Sequence, residues 1–474
     1  MTVSHDFDLT ATPEMKALLT LVQARMAEAP AEAVATQATF ERALRDHMLA
    51  LERRTHTFDF SRFDVDVPGV VVDNVRYRRR EAKTLGEYTT LAGKIVVERT
   101  TYRARGGDGS ESVVPLELRL GLVDGHWTLA AAEAACVFMA ALPSKEAAEL
   151  LKAAGTMKPS SSHLDRLPKR VSEVWEMARR EFEGKVRVAE ALDLPSPEMV
   201  ALIVLSLDGI MLPMKDAPRT PGLGKRDQGP KGHREVGCGT VSLYDVKGER
   251  LHTVKFARMP EAHKVVLHQQ LVDEASAMRE RYPAAKLMAV ADGASENWRI
   301  LAAVAKELNC PMVELLDFFH AVEHLEEAMR AVDASDIERA RMRHILRDAP
   351  DGVERVIEEL AVRFSEADVG RAAAGKALTY FEKNCHRTDY AAAAAANQPI
   401  GSGVQEAACK SLVADRMKRS GMSWLQNGGQ AILTLRGLAQ SERMRHAWDV
   451  LAPAMRHEFR VDPDLRPQSP RRAA

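Results

Sequence analysis

The chain has 474 residues, 46% hydrophobic and 28% charged, which is the balance of a folded globular protein and excludes a disordered tail, a collagen or a membrane protein. No apolar run reaches the roughly 18 residues of a membrane span, and the start MTVSHDFDLT lacks the basic-then-apolar pattern of a secretion signal, so a cytoplasmic protein with no membrane partner is expected. Five dispersed cysteines without a CxxC pair exclude a disulfide framework or a cysteine-rich zinc site, and 66 basic against 67 acidic residues give a net charge of -1, so composition does not announce a nucleic-acid partner.

In chain order, Leu18, Leu19, Val22 and Met26, then Phe40, Leu44, Met48 and Leu51, recur at helical spacing and predict a helical region over residues 1–56. From Phe58 the period turns toward two. VVVDNVRYRRR and KIVVERTTYRAR read as strands of a small β-containing domain over 57–128. Residues 129–198 return to helix. There Ser144 is expected to cap KEAAELLKAA, Gly155 to end it, and Ser160 to Ser162 to cap a second helix carrying Leu164 and Leu167. That spacing suits a helix-turn-helix offered to a DNA major groove, and equally ordinary helical packing, with Pro168 bending the second helix.

MVALIVLSLD is a continuous apolar run ending in Asp208-Gly209, as expected of a strand buried on both faces. EVGCGTVSLYD and RLHTVKFA follow as a hairpin turning at Val246 to Glu249; then come a helix from Glu261 to Arg281, the strand KLMAVA before Asp292, a helix around Trp298 to Leu308, the strand MVELL before Asp317, and a helix from Phe319. Three strands, helix, strand, helix, strand, helix is the order of an RNase H-like α/β core, placed at 199–320. Residues 321–396 read as a helical insertion, with Leu325, Met329, Ile337, Ile345, Leu346, Val356, Ile357, Leu360 and Phe364 as buried candidates. The core resumes at 397–450 with a helix capped by Ser402, closed by Gly421 and carrying Glu406 in its first turn, and 451–474 reads as a disordered basic tail.

Taken singly, Asp208 and Asp292 match a common turn signal and Glu406 complements a helix dipole. Together, two aspartates past apolar strands and a glutamate on a later helix can converge at a sheet edge, where their mutual repulsion requires cations. Mg2+ (or Mn2+) is the expected cofactor, with two ions about 3.5 to 4 Å apart serving phosphodiester cleavage and strand transfer.

The blocks LSLDGIMLP, REVGCGTVSLYDVKGERLHTVKFARMPE, VADGASENW, LLDFFHAVEHL and PIGSGVQEAACKSLVADRMKRSGMSW resemble those of bacterial insertion-sequence transposases of the ISKra group, distant relatives of Mutator elements, over residues 199–440 and more loosely from about 90. The resemblance implies that Asp208, Asp292 and Glu406 are a DDE triad, that Asp317 and His320 are a D-x-x-H pair, and that the helices between His320 and Glu406 are an insertion domain. His320 is expected near the triad, positioning the scissile phosphate or hydrogen-bonding Asp292. HAVEH also spells the H-x-x-E-H of zinc metalloproteases through His320, Glu323 and His324, and a domesticated, non-cleaving DNA binder is a further alternative.

DNA contacts are expected from two clusters: Lys215, Arg219, Lys225, Arg226, Lys231 and Arg234 in and around a Gly/Pro-rich loop, and Lys410, Arg416, Lys418 and Arg419 along the Glu406 helix. The partners implied are transposon ends and target DNA, with a homo-oligomer on DNA because an element has two ends, and with it a nucleoid-associated location.

Overall fold

Two proline-started helices, Pro13–Ala27 and Pro30–Ser61, open the N-terminal part of the chain, the first capped by Thr12, whose Oγ1 accepts from the Met15 amide at 3.3 Å. The computed structural model describes residues 7–104, 112–215, 231–366 and 371–464. They belong to two units, one built from Met1–Lys185 and Arg445–Ala474, the other from Val186–Met444. The expected run VVVDNVRYRRR is broken into a hairpin, Gly69–Val72 against Val75–Arg79. Asp73 and Asn74 turn it at φ 47° and 64°, a left-handed pair these two residues tolerate.

Helices Leu129–Ala141, Ser144–Ala153 and Ser161–Met177 follow. Ser144 does not cap: Pro143 holds that position and no side chain bonds the helix start. Ser160 does cap, its Oγ accepting from the His163 amide at 3.2 Å. Leu164, Leu167, Val171 and Trp175 are buried, and Pro168 lies inside the helix. Residues 451–464, read from sequence as part of a disordered tail, are ordered instead. The last helix continues to Ala454, Phe459 packs with Val70 and Tyr102, and Arg460–Val461 pairs antiparallel with Val70 and Val71. Residues 465–474 lie outside the described residues.

The second unit is built on β1 (Leu202–Lys215), β2 (Lys231–Tyr244), β3 (Arg250–Arg258), β4 (Lys286–Ala291) and β5 (Met312–Leu316), in the order β5-β4-β1-β2-β3. β1, β2 and β3 form an antiparallel meander, and β4 and β5 add in parallel. The β2–β3 turn is set by Asp245, whose Oδ1 accepts from the Lys247 and Glu249 amides at 2.8 Å each. α1 (Val265–Arg281) begins four residues later than expected because His263 and Lys264 take left-handed backbone, φ 58° and 50°. α1 and α2 (Ser295–Glu307) cover one face through Leu267, Leu271, Leu301 and Val304 against Ile203, Leu205 and Leu207.

The opposite face takes the insertion: α3 (Phe318–Ala331), α4 (Asp336–Asp348), α5 (Gly352–Glu366), α6 (Arg371–Asn384) and α7 (Tyr390–Ala395). Leu325, Met329, Leu346, Val356, Leu360 and Phe381 share one cluster with Leu202, Val204, Met288 and Val290 of the sheet, so insertion and core share an interior. Ile337 is 82% exposed, against expectation, and the Phe364 side chain lies outside the described residues. α8 (Gly403–Cys409) runs through a π turn at Lys410–Ala414 and ends at Met417, four residues before Gly421, and α9 (Gln426–Gln440) follows.

Where this unit closes, Arg443 is buried between two carboxylates: Nε donates to Glu190 Oε2 at 2.5 Å, and Nη1 and Nη2 to Glu274 at 2.8 and 2.9 Å. Arg443→Met leaves two acids buried against one remaining cation, Arg187, and should lower stability by about 3 to 5 kcal/mol. A shift of the urea midpoint worth less than about 1 kcal/mol would contradict this ion network.

Candidate active site

Parallel pairing places the acids. Ala289 of β4 is the register partner of Leu205 of β1, and three residues on along each chain come Asp292 and Asp208. Ala291 partners Leu316 in the same way, and one residue further come Asp292 and Asp317. Three aspartates therefore stand in a row across neighbouring strands, Asp292 and Asp317 just past the carboxyl ends of β4 and β5 and Asp208 within β1. β1 itself does not end at Asp208, as the apolar run predicted; it continues to Lys215 paired with β2, while β4 stops at Ala291 and leaves that flank open. The Glu235 side chain packs directly over Gly209, its Oε1 2.0 Å from where a Cβ there would stand.

Asp208 accepts from the Gly209 amide at 2.6 Å through Oδ1 and from the Cys409 thiol at 3.6 Å through Oδ2. Burial, and also the charge of Asp292, holds its carboxyl above the usual range despite those donors. Cys409 stays a neutral donor because contact with Cys238 and its own burial push its pKa far up. That thiol, absent from the sequence reading, docks α8 on Asp208. Glu406 lies three residues before it, exposed to solvent.

Asp317 is the joint of the site. It is 2% exposed; Oδ1 accepts from the His320 amide at 2.9 Å, and Oδ2 from the Ser402 amide at 2.5 Å and from the Ser402 hydroxyl. Ser402 thus does not cap α8 as expected but ties its start to β5. His320 Nδ1 lies 3.5 Å from Asp317 Oδ1, an ion-pair contact, and Asp317, joined by the charges of Glu323 and Asp292, raises the imidazole to about 9 against the opposing effect of burial. Asp317 is in turn held well below the usual range: its bonds from His320 and Ser402 outweigh burial. The hydrogen bond from His320 to Asp292, one of the two roles expected of it, is not formed; the ring acts on Asp208, and the Asp292 charge on the ring, without contact.

Asp292 is fixed from the other side. Its Oδ1 accepts from the Ala294 amide and from Asn297 Nδ2, both at 3.2 Å. Asn297 is oriented by Lys264, whose buried Nζ donates to Asn297 Oδ1 at 3.1 Å and pairs with Glu235 at 2.7 Å. Nothing in the sequence marked Lys264, because its role depends on a left-handed backbone and on partners more than 25 residues away.

As a donor set, two carboxylates held in register and a third on the adjoining helix fit a hard cation such as Mg2+ in kind. Among the described residues no three His, Cys, Asp or Glu side chains already form a metal cage. Glu406 would complete one only by turning inward.

The basic clusters divide. Lys410 and Lys418 are exposed and Arg419 half-buried, while Arg416 is 3% exposed with its guanidinium 5.6 Å from the Trp424 ring, so a phosphate-contacting role for Arg416 is corrected to a packing one. Lys225 and Arg226 lie outside the described residues, as does the Lys231 side chain. The H-x-x-E-H reading does not survive the geometry: His320 faces Asp317, and His324 stacks on Tyr380 with ring centroids 3.9 Å apart.

No family model matches the chain, and no curated protein does. Three solved structures bear a loose likeness. The Drosophila P element transposase strand transfer complex is 11% identical, over 66% of this chain and 79% of that one, with TM-score 0.23. The Mos1 strand transfer complex is 14% identical over 52% and 74%, and a pre-cleavage Mos1 transpososome 15% identical over 52% and 75%, each with TM-score 0.16. At such scores no residue carries over, and the function proposed below stands on the site itself. Among the described residues no helix is long and apolar enough to cross a membrane.

The Asp317–His320 pair sets a pH dependence. His320 is held above its ordinary 6.5, so its contribution to stability is full below that value and is lost as pH rises through about 9. His320→Ala should therefore destabilise the protein near pH 6 and leave it unchanged near pH 10. Asp317→Asn should bring the His320 titration, followed by NMR, back toward 6.5; a wild-type midpoint below about 7 would contradict the pairing.

Proposed function

We propose that this chain is a DDE-type DNA transposase of the insertion-sequence kind, with an RNase H-like core and Asp208, Asp292 and Glu406 as its triad. The observation that carries the reading is the pairing of β4 with β1. It brings Asp208 and Asp292 together at the open flank of the sheet, with Asp208 partly buried and repelled by its neighbour. Two like charges held so are a standing demand for a cation. The order of elements, three antiparallel strands and then two parallel strands alternating with helices, is the one an RNase H-like core requires.

The three carboxylates would hold Mg2+ or Mn2+, two ions in all, which when bound supply activation of the attacking hydroxyl and stabilisation of the leaving oxygen. His320, charged and steadied by Asp317, lies where it can position the scissile phosphate. Lys410, in the π turn that follows Glu406, Lys418 and Arg419, just past the helix end at Met417, and Lys225, Arg226 and Lys231, in the sequence between Lys215 and Gly232, serve as contacts to the DNA backbone. Water attack then nicks an element end, the freed 3'-hydroxyl attacks target DNA, and a homo-oligomer holds the two ends together. A protein with this function would work at the nucleoid. Helix Ser161–Met177, its apolar stripe buried, is left its polar face for any contact with DNA.

One observation favours a second reading, a DNA binder that no longer cuts: Glu406 faces solvent and no three-ligand cage is formed among the described residues. Incubating the protein with DNA from the regions flanking its gene, in Mg2+ or Mn2+, separates the two. A transposase cleaves, and Asp208→Asn or Asp292→Asn lowers the rate at least about 100-fold while DNA is still bound. A wild-type protein that shifts the DNA and leaves it intact is the binder.

A further inference from the structure

Lys264, at the entry to α1, is 8% exposed, and it and His263 both hold left-handed backbone, φ 50° and 58°. Residues with a Cβ seldom adopt that conformation, and it persists where the surrounding structure enforces it, often at functional sites. The Lys264 ammonium meets three groups: Glu235 Oε1 at 2.7 Å, Asn297 Oδ1 at 3.1 Å and Glu296 Oε2 at 3.8 Å. Glu235, on β2, packs over Gly209, the residue after Asp208. Glu296 and Asn297 lie in the first turn of α2, shortly past Asp292. One buried cation therefore reaches the surroundings of both Asp208 and Asp292.

The link to Asp292 has a direction. A lysine ammonium only donates, whereas a side-chain amide accepts at its oxygen and donates from its nitrogen. With Lys264 donating to Oδ1, the Asn297 amide is locked with its NH2 group toward Asp292, where Nδ2 donates to Oδ1 at 3.2 Å. The Ala294 amide donates to the same Asp292 oxygen, so both bonds fall on Oδ1 and neither occupies Oδ2. Asn297 is itself 3% exposed; with the lysine gone, its buried oxygen loses a donor and nothing fixes which end of the amide faces the carboxylate. We propose that Lys264 is a positioning residue for cation binding at Asp292: it holds Asn297 in the one orientation that donates to the carboxylate, and through Glu235 it anchors that arrangement beside Asp208. The inference rests on the reading of Asp208 and Asp292 as metal-holding acids, and it gives a role to a residue that touches neither. Its acidic company weighs against a phosphate contact instead, since the cavity of about 230 Å³ beside it is lined by Glu235, Glu261 and Glu296 as well as Arg258.

The test is Mn2+ binding to the full chain without DNA, followed through the EPR signal of the free ion, with Asp292→Asn as the variant that should abolish the site. Lys264→Met keeps the length of the side chain and removes its donor; it should raise the Mn2+ dissociation constant about tenfold, and Asn297→Ala should do the same. Because the two act along one path, the double variant should bind about as weakly as either single one, where independent effects would multiply to roughly 100-fold. A lysine that merely stabilises the fold lowers the unfolding temperature and leaves Mn2+ affinity where it was. Should Lys264→Met not fold, Asn297→Ala still decides: an unchanged dissociation constant in either variant overturns the positioning role, as does a multiplied loss in the double variant, and the proposed function stands. Wild-type protein that binds no Mn2+, or binds it equally with Asp292→Asn, overturns both.

Discussion

The arrangement of the site depends on one constraint: parallel strands in register carry their residues to the same level. Because Ala289 is opposite Leu205 and Ala291 opposite Leu316, Asp208 within β1 and Asp292 and Asp317 past the ends of β4 and β5 are forced into a row. A one-residue slip of β4 would turn Met288 and Val290 out of the interior they share with the insertion and move Asp292 to the other face. The apolar packing of two faces therefore enforces an electrostatically unfavourable neighbourhood, the kind of local conflict that marks a functional site.

The three acids are treated differently by their surroundings. Asp317 is fully provided for by His320 and Ser402 and stays charged, so it works as structure: it joins β5, the insertion's first helix and the start of α8. Asp292 is steadied by Asn297, itself set by Lys264. Asp208 keeps the least favourable position, half-buried and with a weak thiol donor. Glu406 is carried on a helix docked at both ends, by Ser402 and by Cys409, with its own side chain in solvent.

Much of the core was legible in the sequence because its signals are local. Strands buried on both faces give unbroken apolar runs such as LIVLSL and KLMAVA, and the helices between them begin within a few residues of where their periodicity places them. What was not legible depends on partners distant in the chain. Arg416 looked like a surface cation, but the π turn at Lys410–Ala414 shifts the phase of the helix and turns it inward against Trp424. Residues 451–464 looked polar and loose until Phe459 and Val461 found a hydrophobic cluster and a strand edge near Val70. Lys264 lies outside the quoted blocks, and Asn297 and Cys409 lie inside them without a role of their own, so only the folded chain sets them against the aspartates.

In the proposed function Asp208 and Asp292 share a cation whose coordination Glu406 completes. A crystal structure of the protein soaked in Mn2+, read by the anomalous signal of the metal, tests it most directly. Manganese is expected between Asp208 and Asp292, with the Glu406 carboxylate turned in to ligate it. Manganese bound elsewhere, or no signal at the strand ends with both aspartates intact, would contradict it.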